Sequence, residues 1–159
     1  MKYFGPLIVV EEIAPARKFY EEVLGQRVQL DLGENVSFEG SFAIHRKAHY
    51  QSLLGDAQQF PIARKAHNFE LYFETEDLAA IDRRLKEAGT RYLHEIREQP
   101  WAQRVLRVYD PDDHIVEIGE TMEAVVIRLC REGMTAEQAS QRTGMPLEFV
   151  QHAIEAANS

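Results

Sequence analysis

Apolar residues along this chain switch between a period near 3.6 and a period of 2, and each switch marks an element. Leu7 to Val10 is a short apolar run that reads as a strand. Ala14 to Leu24 then places Phe19, Tyr20, Val23 and Leu24 on one helical stripe. Pro15 suits a first helical turn, where its missing amide hydrogen is not needed, and Gly25 suits a C-terminal cap. Next come alternating segments, Arg27 to Leu32, Val36 to Glu39 and Ser41 to Arg46, separated by Gly33-Glu34-Asn35 and by Gly40. The order predicted is β-α-β-β-β.

The same order recurs. Asn68 to Glu74 reads as a strand, Leu78, Ile81, Leu85 and Ala88 form a helical stripe, and Gly89 stands where a cap is needed. A shift of 64 residues lays Gly25 on Gly89 and Arg27 on Arg91, and the strands Arg91 to Ile96, Arg104 to Tyr109 and Ile115 to Ile118 follow. Asp110-Pro111-Asp112-Asp113 is the hairpin turn between the last two. One such unit leaves a sheet face bare. Two related units can curl their sheets around a common hollow and cover the outside with helices, giving an α+β fold of two βαβββ modules, about 4–46 and 68–119. The linker 47–67 carries His49 and His67 and is long enough for a short helix, which the reading places at Tyr50 to Gly55.

Beyond Gly119 the period becomes helical again. Met122, Val125, Val126, Leu129 and Cys130 make one stripe ended by Gly133; Thr135 with Gln138 signals a capping box for a second helix to about Arg142; Leu147, Val150, Ile154 and Ala157 mark a third. The domain therefore covers 1–120 and the helical tail 121–159. Gly144 with Val150 resembles the spacing of a helix-turn-helix DNA reader, but Glu120, Glu123, Glu132, Glu137, Glu148 and Glu155 outnumber Arg128, Arg131 and Arg142. Packing or dimerisation is the expected role of the tail.

Charge and cysteine content narrow the function. A net charge of −8 disfavours nucleic acid and anionic membranes as partners. No apolar run approaches the ~20 residues of a membrane span, and Met1 to Val10 lacks a signal-peptide pattern, so the expected location is cytoplasmic. Cys130 is the only cysteine, which excludes an internal disulfide and a cysteine-based zinc site.

Strand parity selects the residues facing the hollow. Phe69, Leu71 and Phe73 should pack under the helices, leaving Asn68, Glu70 and Tyr72 inward. Leu106 and Val108 should join the core, leaving Val105, Arg107 and Tyr109 inward. In the last strand Val116 and Ile118 go to the core and Glu117 inward. With Trp101 from the preceding loop, the wall combines two acids, a guanidinium and aromatic rings. These charges need pairing, since an isolated buried charge costs several kcal/mol. Either they neutralise one another, or a polar ligand or metal completes the set.

Three stretches carry a family resemblance. Phe19-Tyr20-Glu21-Glu22-Val23-Leu24-Gly25 resembles the FYxxvLG signature of glyoxalase/bleomycin-resistance/dioxygenase (vicinal-oxygen-chelate) proteins. Asp110 to Ile118 resembles their DPDGxxiEl signature, with Asp113 in place of the turn glycine. Gln99-Pro100-Trp101-Ala102 resembles their PWG stretch. The match covers residues 4 to 120. It implies a fold that hosts lyases, isomerases, extradiol dioxygenases, thiol transferases and pure binding proteins.

In metal-dependent relatives four positions hold a divalent cation. Carried over, they fall on Gly5, on Ala43 or His45, on Asn68 (with His67 beside it) and on Glu117. Gly5 offers no side chain, and an amide is a poor ligand for nickel, zinc or iron. The expected function is therefore a binder of a small organic molecule, held by His45, Asn68, Glu70, Tyr72, Trp101, Arg107, Tyr109 and Glu117, in a homodimer. The alternative is a divalent-metal-dependent lyase, isomerase or dioxygenase with Glu117 and His45 as ligands and Glu70 or Tyr72 transferring the proton. A third is a ligand-sensing regulator acting through the tail.

Overall fold

A computed structural model describes residues 1–55 and 59–158. The first module runs β1 (Leu7–Val10), α1 (Ile13–Lys18), β2 (Val28–Asp31), β3 (Asn35–Phe38) and β4 (Phe42–Arg46); the linker adds α2 (Lys47–Leu54). The second runs β5 (Glu70–Thr75), α3 (Leu78–Glu87), β6 (Tyr92–Glu98), β7 (Arg104–Tyr109) and β8 (Ile115–Glu120). The tail is α4 (Met122–Arg131), α5 (Ala136–Thr143) and α6 (Leu147–Ala157). Each module is a four-stranded mixed sheet, ordered β1-β4-β3-β2 and β5-β8-β7-β6, in which only the first pair named is parallel. The two sheets thus repeat one topology, as the sequence repeat requires.

The first helix does not keep one pitch. After Lys18 it widens into a π-helical segment, Phe19–Val23, closed by the amide of Leu24 on the carbonyl of Phe19. The added residue per turn lets both Phe19 and Tyr20 enter the core. The α2 helix starts three residues earlier than the sequence reading placed it, at Lys47.

Helices α1 and α3 cover one side of the sheets, and the core between them is continuous across both modules. Ile8, Val10, Phe38, Phe42 and Ile44 from the first sheet join Leu71, Leu106, Val108, Val116 and Ile118 from the second, and the rings of Phe42 and Phe73 meet edge-on at 5.8 Å. The parity assignment of these residues holds with one correction. Phe69 was expected in the core but is 49% exposed. The chain turns through Lys65 and His67 at positive φ, and the β5 ladder starts only at Glu70, paired with Ile115. Alternation governs a residue only inside the ladder, so Phe69 and Asn68 fall outside it.

The β7–β8 turn ties the modules together. The Asp110 carboxylate, fully buried, accepts from the Tyr20 hydroxyl at 2.9 Å and from the amides of Asp112 and His114 at 2.9 Å each. Asp112 in turn accepts from the amide of Glu11. Asp113, where relatives carry glycine, adopts φ 70°, and its carboxylate is paired with Arg64 of the linker and Arg91 ahead of β6. Aspartate is among the few side chains that tolerate this backbone region, so the departure keeps the turn and adds two ion pairs.

The tail builds a second apolar cluster. Val125, Val126, Leu129, Ala139, Val150 and Ala153 are buried together, with Cys130 partly buried against them, and one residue of the domain, Ala102, is enclosed with them. The expected capping box at Thr135 and Gln138 is present. Among the described residues no helix is long and apolar enough to cross a membrane.

Candidate functional site

On the second sheet the polar residues singled out by parity emerge on the side opposite α3, whereas on the first sheet the corresponding side meets α2, where His45 contacts His49 and Tyr50. Register across the second sheet puts Tyr72 of β5 beside Glu117 of β8, Glu117 beside Arg107 of β7, and Arg107 beside His94 of β6. These four make one row across the sheet.

Arg107 is its centre. Its Nε donates to Glu70 at 2.9 Å, its Nη1 lies 3.1 Å from His94 Nε2, and its Nη2 is paired with the Glu117 carboxylate. The Glu117 side chain is only 9% exposed, whereas that of Glu70 is 39% exposed, so the guanidinium links a buried acid to a solvated one. The charges therefore meet inside the protein, although the buried Glu117 Oε2 accepts no hydrogen bond from the described residues.

A second row of hydrogen bonds adjoins it. The Trp101 indole donates to Gln103 Oε1 at 2.9 Å, Gln103 Nε2 donates to the Tyr72 hydroxyl at 2.8 Å, and that hydroxyl donates to Glu74 at 2.8 Å. Gln103 Nε2 also reaches the Glu120 carbonyl at 2.7 Å. Gly119 makes this possible: a Cβ there would lie 2.9 Å from Gln103 Nε2 and 3.2 Å from the Tyr72 hydroxyl. Burial, and next the bond to Glu74, raise the Tyr72 pKa above the ordinary phenol value, which keeps it a neutral donor. Tyr72 and Trp101 are nevertheless 48% and 44% exposed, two aromatic rings flanking the charged row.

The remaining candidates lie elsewhere. His45 belongs to the first sheet. It shares its sheet face with Ala43, two residues away, so strand parity does not choose between them. It is buried; Asn35 Nδ2 lies 3.3 Å from its Nδ1, and its Nε2 lies 2.7 Å from His49 Nδ1. With Asn35 donating to Nδ1, the ring proton sits on Nε2 and is donated to His49, so both nitrogens are engaged. Burial, then the neighbouring His49, lower the His45 pKa and keep the ring neutral. Tyr109 shares the face of Arg107 but meets His67 Nε2 at 2.9 Å, with the Arg91 guanidinium 5.0 Å from its ring centre. It lines a groove of about 380 Å³ with Pro15, Lys18 and Phe19, between the modules. Asn68 is exposed ahead of β5. Glu70, Tyr72, Trp101, Arg107 and Glu117 are thus brought together, while His45, Asn68 and Tyr109 are not.

Sequence reading missed Gln103, Glu74, His94 and Gly119. Glu74 shares the parity of Glu70, and a glycine inside a strand signals close approach of another group, so those two were accessible. Gln103 precedes its strand, and His94 follows a bulge between Tyr92 and His94 that resets the alternation.

Among the described residues no three His, Cys, Asp or Glu side chains are grouped to hold a metal ion. A model of the glyoxalase-like domain matches residues 3–123. Among solved structures, a protein of unknown function from Agrobacterium tumefaciens str. C58 is 32% identical, with TM-score 0.68 over 76% of this chain and 94% of that one. A lactoylglutathione lyase from Agrobacterium tumefaciens is 22% identical, with TM-score 0.55 over 73% and 91%. A glyoxalase/bleomycin resistance protein/dioxygenase family enzyme from Burkholderia phytofirmans PsJN is 16% identical, with TM-score 0.64 over 75% and 98%. The last two share the fold. No curated protein matches the sequence. Taken with the paired βαβββ modules, the match over residues 3–123 makes this chain a member of the glyoxalase-like domain family, within the glyoxalase/bleomycin-resistance/dioxygenase superfamily.

Proposed function

We propose that this protein binds a small planar organic molecule on the helix-free face of its second module, without the cation of its metal-dependent relatives. The observation that carries the reading is the pair of half-exposed rings, Tyr72 and Trp101, beside a guanidinium held by Glu70 and Glu117. Glu70, Glu74 and Glu117 outweigh Arg107 in charge. An aromatic wall with an acidic surplus favours a planar cation over a planar anion.

The donor set does not fit the divalent cation of the relatives. Gly5 has no donor, and a Cβ there would lie 1.8 Å from the Ser41 carbonyl oxygen; Ala43 has none; Asn68 stands outside the ladder. Glu117 is neutralised by Arg107, and His45 spends both nitrogens on Asn35 and His49. The lyase or dioxygenase reading built on Glu117 and His45 would need both contacts broken.

Titration of Trp101 fluorescence tests the binder. 9-Aminoacridine, a planar cation, is expected to quench it saturably, at least about tenfold more tightly than the anion 2-naphthalenesulfonate, and Tyr72→Ala should weaken it about tenfold. Equal, non-saturable quenching by both would overturn the reading. So would stoichiometric divalent metal in untagged protein that disappears in Glu117→Gln.

The open faces also support a homodimer. Leu7 and Leu30 on the first sheet line a groove of about 480 Å³ with Phe4, and both are substantially exposed. Burying such surface against a second copy is favourable at about 25 cal/mol per Å². Sedimentation equilibrium is expected to give twice the 18.3 kDa of one chain; a monomer at micromolar concentration would contradict it.

A further inference from the structure

We propose that the helical tail is a clamp that sets Trp101 in the ligand row, with Arg128 and Arg142 as positioning residues and Ala102 as the anchor. The family match ends at residue 123, so nearly all of α4, α5 and α6 lies beyond it. The turn that presents Trp101, between β6 and β7, is where the tail meets the domain.

The contacts are specific to that turn. Arg142 of α5 donates to the Pro100 carbonyl and, at 2.8 Å, to Glu98 at the end of β6. Arg128 of α4 donates to the Ala102 carbonyl at 2.7 Å and to both carboxylate oxygens of Glu120, at 3.1 and 2.9 Å. The same Glu120 accepts from the amide of Arg104 at 2.9 Å. Carbonyls on both sides of Trp101 are thus held by guanidinium groups of the tail. The part-buried, two-oxygen pairing of Arg128 with Glu120 holds position in a way that a single exposed ion pair does not, and the more exposed Arg142 adds a bond to the turn carbonyl beside its pairing with Glu98.

Ala102 completes the clamp. In the resembling PWG stretch glycine holds this place; here alanine does, at φ 67°, a backbone region that disfavours a Cβ. Its side chain is fully buried in the apolar cluster formed by Val125, Val126, Leu129 and Ala139. The methyl group that strains the turn is the one the tail encloses. From there the geometry continues to the site: Trp101 donates to Gln103, and Gln103 to Tyr72. Loosening the turn would therefore release both aromatic rings of the row.

Trp101 is the only tryptophan, so its fluorescence reports the turn directly. Acrylamide quenching is measured on the full chain for Ala102→Gly, Arg142→Gln and Arg142→Lys. Ala102→Gly relieves the backbone strain and keeps the fold, so it tests the anchor even if the arginine variants fold poorly. Ala102→Gly and Arg142→Gln are expected to raise the quenching constant about twofold, with Arg142→Lys in between, because lysine can restore only one of the two bonds. The affinity for 9-aminoacridine should fall about fivefold in the first two variants, a part of the test that rests on the binding reading above. Unchanged quenching in Ala102→Gly and in Arg142→Gln would overturn the clamp. If wild type does not bind the acridine while the quenching constants shift as described, the clamp stands and the binding reading fails.

Discussion

Replacing Asp110 with alanine is expected to lower folding stability by about 3–5 kcal/mol, measured by urea denaturation near neutral pH, because a fully buried acceptor is lost from several donors at once. Its carboxylate receives the Tyr20 hydroxyl, the amides of Asp112 and His114, and the His114 imidazole. Tyr20 is wholly buried, and burial, then the Asp110 charge, drive its pKa far upward, so its proton stays in place and needs an acceptor. Tyr20→Phe removes only one partner and should cost about 1 kcal/mol. The difference between the two variants also depends on pH. Burial lowers the His114 pKa, but the hydrogen bond and charge of Asp110, followed by the charge of Asp112, outweigh it and leave the pKa raised. A raised folded pKa gives stability that is complete below the unfolded value of about 6.5 and is lost as pH climbs through the folded value. The wild-type margin over Asp110→Ala should therefore be larger at pH 6 than at pH 9. A loss below about 1 kcal/mol would mean that water replaces the carboxylate and that the turn does not lock the modules.

This hub also explains why the fold was so legible in the sequence. The FYxxvLG and DPDG stretches stand 90 residues apart, yet Tyr20 of the first bonds Asp110 of the second. The patterns that carried the resemblance are thus the two sides of one buried contact. Alternation placed Leu71, Leu106, Val108, Val116 and Ile118 in the core and Arg107 and Glu117 on the opposite face, since each lies inside a ladder whose parity its neighbours enforce. It failed where the ladder fails. Phe69 precedes β5, His94 follows a bulge, and Gln103 reaches the site from a turn whose shape depends on α4 and α5. Long-range partners of that kind leave no local periodicity. The π-helical widening at Phe19 was hidden for a related reason, because the stripe of Phe19, Tyr20 and Val23 fits either pitch.

The same row of charges yields the other large effect. Arg107→Met is expected to destabilise the protein by about 3–5 kcal/mol, because it leaves the Glu117 carboxylate buried with no cation beside it. Glu70 loses a partner too, but its side chain is 39% exposed and water replaces the bond. Glu117→Leu alone is milder, since Arg107 keeps Glu70, and its cost should be about 1–2 kcal/mol. Combining the two restores part of the loss: an apolar pair of similar volume needs no desolvated charge, and a coupling of about 3 kcal/mol between the sites in a thermodynamic cycle leaves the double variant more stable than Arg107→Met alone. The double variant then separates structure from recognition. It folds, and because one acid leaves together with the guanidinium the acidic surplus is unchanged, so its affinity for 9-aminoacridine, carried by Tyr72 and Trp101, should stay within about threefold of wild type. Were Arg107→Met/Glu117→Leu as unstable as Arg107→Met, packing of the arginine stem rather than charge would hold this sheet face together. Were it to fold and lose the acridine, the guanidinium and Glu117 would shape the site directly, and the aromatic pair with its acidic surplus would not be what holds the cation.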